Sequence, residues 1–287
     1  MKRSWNFEWF KTILQRNLTL NPFNDSNQTA WERRSKLYGT SLKGVLFKGA
    51  PDVVNEHFHD WHKKIVLEFV EGTGELRILD VGCGYGRLSI PIIEKVPNVD
   101  ITGIDISENY VRLYKENTSH SAFVVGVEDL PPDFGTFDYI LCVTVLMYLD
   151  DENLKKAVFN LLSHLKPKGK LILIEPHFSG YYFQTVFGLG TFLMKRIQKD
   201  IVDTQGRSFR SDKIEQLFHH AGGRVLCKWR LPMTSLFLGP LTLAGKLFPM
   251  GAVRPFCKFI FFLDALLGKL KLPSIQVAYL IAGDEKG

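Results

Sequence analysis

Three glycines alternate in Asp80-Val81-Gly82-Cys83-Gly84-Tyr85-Gly86-Arg87, a run that begins inside a short apolar segment and leads into a helical pattern. Without side chains, backbone there can approach a ligand closely and adopt positive φ. The helix expected from near Arg87 would point its free N–H groups at whatever binds. The spacing is not that of a dinucleotide fingerprint, G-x-G-x-x-G, whose last glycine would fall at position 87, where this chain has arginine. Nineteen residues beyond Gly86, a second apolar run ends Gly103-Ile104-Asp105-Ile106-Ser107. An ionised carboxylate only accepts hydrogen bonds, so Asp105 suits the two hydroxyls of a ribose. The competing role, capping a helix, falls more naturally to Ser107.

Further along, proton-transfer groups stand where strands end. Tyr148 follows the apolar run Phe137–Val143, and His177 lies two residues after Glu175. Either can serve as a general base at the carboxyl edge of a sheet. His57, His59 and His62 form a separate cluster. On a helix those three positions do not share one face, so no metal site is expected. The four cysteines, Cys83, Cys142, Cys227 and Cys257, include no C-x-x-C pair. Neither structural zinc nor a disulfide framework follows, and a reducing, cytoplasmic setting is expected.

The elements that must position these residues alternate. Apolar runs at Leu76–Val81, Asp100–Ile104, Ala122–Val125, Phe137–Val143 and Lys170–Glu175 are separated by helical patterns at Arg87–Lys95, Glu108–Glu116 and Asp151–Leu165. Such an alternation predicts an α/β fold with a mainly parallel sheet covered on both faces. A helix from Ser211 to His220, a sixth strand at Arg224–Leu231 and a seventh at Ser274–Ala282 complete it. Trp5, Trp9 and Ile13, with Phe10, Leu14 and Leu18 beside them, make one apolar helical stripe, read as a helix packed on the body or as an interfacial anchor. Residues 1–60 are taken as a helical cap and 61–287 as the main domain, decorated at about 176–210 and 232–272.

Charge is unevenly placed. The whole chain carries a formal +6, yet residues 186–272 hold fourteen Lys/Arg against five Asp/Glu. Twelve of the 22 phenylalanines fall between Phe178 and Phe262, alongside Tyr181 and Tyr182. The decorations leave from the carboxyl edge of the sheet, over which ligands bind in such folds. Aromatic bulk with Lys195, Arg196, Lys199, Arg207, Arg210, Lys246, Arg254 and Lys258 fits an amphiphile with an acidic headgroup, or an anionic membrane surface. The same residues read equally as the lid's own small core and a solvated basic face. No membrane span is expected: the most apolar uncharged run, Leu231–Gly245, has two prolines and falls short of the roughly 18 residues required, and Pro176–Met194, which is long enough, holds three glycines, a proline, Gln184 and His177.

Asp80-Val-Gly-Cys-Gly-Tyr-Gly, Gly103-Ile-Asp-Ile-Ser, Glu128-Asp129-Leu130-Pro131 and Phe137-Asp138-Tyr139 together closely resemble the class I S-adenosylmethionine-dependent methyltransferases. The nearest subgroup is the small-molecule type that includes the ubiquinone/menaquinone C-methyltransferases. The resemblance implies a Rossmann-like seven-stranded sheet and S-adenosylmethionine as cofactor. It places the methionine moiety on Gly82, Cys83, Gly84 and Gly86, with Asp80 organising that loop or meeting the ammonium through water. It gives the ribose to Asp105, the adenine to Ile106, and the adenine edge to Val127 and Glu128. Where relatives often have an aspartate this chain has Gly126, so either Glu128 or backbone alone replaces that acceptor. The segment Cys142–Tyr148 would separate cofactor from acceptor, and Tyr38 resembles an element that closes over the cofactor.

The expected function is methyl transfer to O, C or N of a small, lipophilic or amphiphilic molecule, with peripheral membrane contact as a further expectation. An RNA methyltransferase using the basic segment is the first alternative. The absence of an Asn/Asp-Pro-Pro-aromatic motif and of a prolyl-cysteine nucleophile narrows the nucleic-acid chemistries available. A non-catalytic member that binds the cofactor or acts at a membrane is the second alternative.

Overall fold

The computed structural model describes residues 27–48, 50–72, 75–177, 206, 207, 209, 211–232, 248–267 and 274–283. The N-terminal stripe, Tyr181, Tyr182, Lys195, Arg196, Lys199, Arg210 and Lys246 lie outside them, so the lids expected at 176–210 and 232–272 are described only in part.

Three helices come first: α1 (Asn27–Tyr38), α2 (Leu42–Val45) and α3 (Asp52–Phe69). The division expected at residue 60 falls inside α3. The alternating part follows as β1 (Arg77–Val81), α4 (Ser89–Lys95), β2 (Asp100–Asp105), α5 (Glu108–Thr118), β3 (Ala122–Val124), β4 (Phe137–Val143), α6 (Asp151–Ser163) and β5 (Leu165–Pro176). The chain ends in α7 (Ser211–His220), β6 (Gly223–Pro232), α8 (Met250–Leu267) and β7 (Ser274–Gly283). The seven strands lie in the order β3-β2-β1-β4-β5-β7-β6. β7 runs antiparallel to both its neighbours, and the pairs among β1 to β5 are parallel.

The sheet is buried on both sides, which is why its strands read as continuous apolar runs rather than alternating ones. Leu171, Leu173, Val277 and Tyr279 face one way, onto Leu154, Val158 and Leu161 of α6 and Phe218 of α7. Ile172, Ile174, Ala278 and Leu280 face the other, onto Ile65 and Val66 of α3 and Ile92 of α4. The period of two along each strand sorts neighbouring residues onto opposite layers.

Most expected boundaries move by a residue or two, and two of the shifts have a clear local cause. β5 begins at Leu165 rather than Lys170, because Leu165 pairs with Phe137 ahead of a bulge in which Lys168 takes φ +69°. The helix expected from Arg87 starts at Ser89, because the chain is still turning after Gly86 at φ +90°. Among the described residues no helix is long and apolar enough to cross a membrane.

Candidate cofactor and active site

The carboxyl ends of β1, β2 and β4 open into one pocket, roofed by α1. Its floor is the glycine turn. Gly82 takes φ +66°, and a Cβ there would stand 2.4 Å from the Val145 side chain. Any side chain at 82 is therefore both strained and blocked. Gly84, at φ +53°, donates its N–H to Asp105 Oδ2 at 3.0 Å. Cys83 N–H donates to the Ile104 carbonyl at 3.0 Å. The turn is thus fastened to the end of β2.

Asp105 accepts a second backbone bond, from Ser107 N–H to Oδ1 at 2.9 Å. Each oxygen keeps further lone-pair capacity for a diol. Ser107 caps α5, its hydroxyl oxygen accepting from Tyr110 N–H at 3.2 Å. Burial pushes the Asp105 carboxyl up to about 6, against the lowering effect of those backbone donors. Asp80, on β1, accepts from the Ser89 hydroxyl at 2.6 Å, and burial likewise raises it to about 6.

Arg87 supplies a cation to the same pocket. Its Nη1 lies 3.1 Å from His59 Nδ1 and its Nη2 3.2 Å from His62 Nδ1. A guanidinium only donates, so both Nδ1 atoms accept and each imidazole carries its proton on Nε2. That agrees with the 2.7 Å bond from His62 Nε2 to Gln276 Oε1. Desolvation, reinforced by the Arg87 charge, holds His59 at about 4 and His62 well below its ordinary value. Desolvation also lowers Arg87, to about 10. The arginine therefore rests on two neutral rings, and among the described residues no carboxylate forms an ion pair with it.

The roof is made by α1. Trp31 meets Tyr148 edge-on, ring centres 5.3 Å apart, and Asn27 Nδ2 donates to the Tyr148 carbonyl at 2.9 Å. Glu32 accepts from the Ser107 hydroxyl at 2.7 Å and from Asn109 N–H at 3.1 Å. Buried Arg34 donates to the carbonyls of Lys43 and Leu46, holding α1 to α2. The wall after β4 is held from below. Glu175 is 1% exposed, and its Oε1 accepts from Val145 N–H at 3.0 Å and Leu146 N–H at 2.8 Å. Burial pushes that carboxyl up to about 8. Thr144, in this wall, takes φ +57°, strained backbone for a β-branched residue.

Of the residues singled out in the sequence, Asp80, Gly82, Cys83, Gly84, Asp105, Ile106, Val127, Glu128 and Tyr148 line the pocket. Gly86, Cys142, His177 and Tyr38 are not among its lining residues. Gly86 lies beneath the turn, where a Cβ would meet Thr118 Cγ2 at 2.7 Å. Cys142 sits in the core against the α6 side. His177 is 2% exposed and bridges to Phe209. Tyr38 is the last residue of α1 and does not line the pocket, whereas Trp31 of the same helix does. The Glu128 carboxylate folds over Gly126, 2.8 Å from where a Cβ would stand. The histidines divide: His59 and His62 reach the pocket through Arg87, whereas the His57 ring stacks on Phe261. Arg87 is the residue that sequence reasoning passed over, although it fills the position left by the missing third glycine. Among the described residues no cluster is suited to a metal.

The pocket suits an adenosyl amino acid on its own evidence. It offers a cradle that a Cβ would fill, a buried acid with lone pairs free for a diol, and an acid and a cation together at the glycine turn.

Comparison with known proteins agrees. Residues 78–169 match the family described as Methyltransferase domain. The chain is 30% identical over 152 residues to the U6 snRNA methylphosphate capping enzyme Amus of Drosophila melanogaster, covering 45% of this chain and 51% of that protein. It is 29% identical over 116 residues to a ubiquinone biosynthesis O-methyltransferase of Rickettsia akari, covering 39% and 44%. It therefore spans about half the length of the curated relatives it matches. In fold it matches the mycolic acid cyclopropane synthase CmaA1 complexed with SAH and CTAB, with TM-score 0.54, 16% identity, and 79% and 84% of the two chains covered. Residues 78–169 thus match a methyltransferase domain, the sheet around them has the Rossmann-like class I fold, and the cofactor that this match implies is S-adenosylmethionine.

Proposed function

We propose that the whole chain transfers a methyl group to O, C or N of a small, lipophilic or amphiphilic acceptor. When bound, the cofactor supplies a methyl group on a sulfonium, transferred by in-line displacement. The chain's own work is then alignment and, where the acceptor needs it, proton removal.

Asp105 would take the ribose hydroxyls, Ile106 the adenine face, and Val127 with Glu128 the adenine edge. Gly82, Cys83 and Gly84 would carry the methionine moiety. Asp80 and Arg87, one acid and one cation, match its ammonium and carboxylate. Tyr148 stands at the pocket with a phenol that can orient or deprotonate an acceptor. His177, enclosed beside Phe209, has no such access.

The observation that carries the reading is the roof. Trp31 packed on Tyr148, with the Asn27 hydrogen bond to the Tyr148 carbonyl, covers one side of the pocket, and Glu32 fastens the same helix to Ser107. Trp31 and Tyr148, aromatic lining beside the cofactor's place, support a compact lipophilic acceptor over a polynucleotide, which needs an open cationic track. The RNA reading is supported by the fly capping enzyme, by tRNA and ribosomal RNA methyltransferases that are similar over about half the chain, and by the basic segment. The test is to supply isotopic methyl donor with the purified chain to separate lipid and RNA extracts. Label in the organic-soluble fraction is expected. Label confined to RNA would replace this reading with the alternative, and a cofactor-bound protein that labels neither would favour a non-catalytic role.

A further inference from the structure

Helix α8 presents two faces of opposite character. Val253, Cys257 and Ile260 are buried against Val53, Val54 and Phe58 of α3. On the outer arc, Phe256, Phe259 and Phe262 are 52%, 59% and 63% exposed, and Phe248, just ahead of the helix, is 59% exposed. Four of the nine large hydrophobics exposed among the described residues thus fall within 248–262. Scattered apolar side chains on a surface need no explanation, but a row of phenylalanines does. At helical spacing, Arg254 and Lys258 run one turn apart along the margin of that row, and both are exposed. Arg254 also reaches Glu56 Oε1 at 3.3 Å, an exposed pair of little energetic consequence.

An aromatic arc with cations along its edge is the pattern of a helix lying in the headgroup layer of a bilayer. We propose that this face of α8 seats on an anionic lipid surface. Phe256, Phe259 and Phe262 enter the boundary between headgroups and acyl chains, with Arg254 and Lys258 at the phosphates. Charge selects this occupant. Residues 186–272 carry fourteen cations against five acids, so an anionic surface complements them, whereas a second copy would set like charges against one another. The placement also bears on access to the site. α3 packs on α8 through Val53, Val54 and Phe58, and its His59 and His62, one turn further on, meet Arg87 of the cofactor pocket.

The test uses the full chain with vesicles of phosphatidylcholine alone or mixed with phosphatidylglycerol. Co-sedimentation with the mixed vesicles is expected, weakening as salt is added. Phe259→Gln combined with Phe262→Gln should lower partitioning at least about tenfold, since two apolar rings no longer leave water on binding. Lys258→Glu should weaken binding to the mixed vesicles only. The rise in melting temperature with S-adenosylhomocysteine should persist in every variant, which shows the fold and pocket intact and keeps this proposal separate from the acceptor reading. Wild-type protein that ignores the mixed vesicles, or a double variant that partitions as before, would overturn it. So would a wild-type dimer in sedimentation velocity that the double substitution makes monomeric, because the face would then belong to a second copy.

Discussion

The backbone N–H of Gly84 donates to the carboxylate of Asp105 across 3.0 Å, tying the turn after β1 to the end of β2. The acid proposed to hold the ribose thus also holds the loop proposed to carry the methionine moiety. Asp105→Ala removes acceptors from two buried N–H groups, those of Gly84 and Ser107. Each costs about 1–3 kcal/mol when left unsatisfied. The substitution should abolish most of the melting-temperature rise given by S-adenosylhomocysteine, and Asp105→Asn, which retains one acceptor oxygen, should keep part of it. A full shift in Asp105→Ala would place the ribose elsewhere.

Arg87 gives a sharper test, because its proposed partner can be deleted from the ligand instead of the protein. Arg87→Met should weaken S-adenosylhomocysteine by about ten- to a hundredfold, the range of one charge-assisted hydrogen bond. It should leave 5′-methylthioadenosine, which has no carboxylate, unaffected. Equal weakening of both in titration calorimetry would mean that Arg87 only braces the turn against His59 and His62.

The two buried acids predict opposite pH trends for binding and for stability. Asp80 and Asp105 titrate near 6 in the fold, chiefly through burial, and near 4 when unfolded. Between those values the folded chain binds more protons than the unfolded one. The stability these groups contribute therefore falls as pH rises through that window and stays low above it. Cofactor affinity should run the other way: below about 6 the Asp80 charge, proposed to meet the cofactor's ammonium, is lost, weakening binding by up to about tenfold per pH unit. Calorimetry and thermal melts of the free protein between about pH 5 and 8 would show it. Affinity independent of pH would remove Asp80 from contact with the ammonium.

Glu175 is expected to act through the wall it supports. Glu175→Ala strands the N–H groups of Val145 and Leu146 and should destabilise the protein by about 2–5 kcal/mol in urea denaturation. Glu175→Gln keeps an oxygen acceptor in a site where burial already favours the neutral acid, so its cost should stay within about 1 kcal/mol. If glutamine were as damaging as alanine, the charge itself would be required.

Local features of this fold were legible in the chain. Stretches such as Tyr139–Val143 and Leu171–Ile174 are continuously apolar because both faces of the sheet are covered, and they announce strands without reference to anything distant. The turn Gly82–Gly86 was legible for a similar reason: positive φ is a property of single residues, and glycine adopts it freely. Asp105 lies at the end of its own strand, so its place at the carboxyl edge followed once the strand was recognised.

What the chain did not disclose depends on residues far apart in sequence. Arg87 becomes a pocket cation because α3 brings His59 and His62 to it and β7 brings Gln276 to His62, contacts spanning 25 to 214 residues. Trp31 rather than Tyr38 forms the roof because Glu32 and Asn27 fix the rotation of α1 against Ser107 and Tyr148. His177 follows Glu175 by two positions, yet pairing of β5 with β7 and the bridge to Phe209 enclose it. Periodicity reports which side of an element is buried, but not which distant side chain lies opposite. Tertiary packing alone decided those partners, and with them the electrostatics of the site.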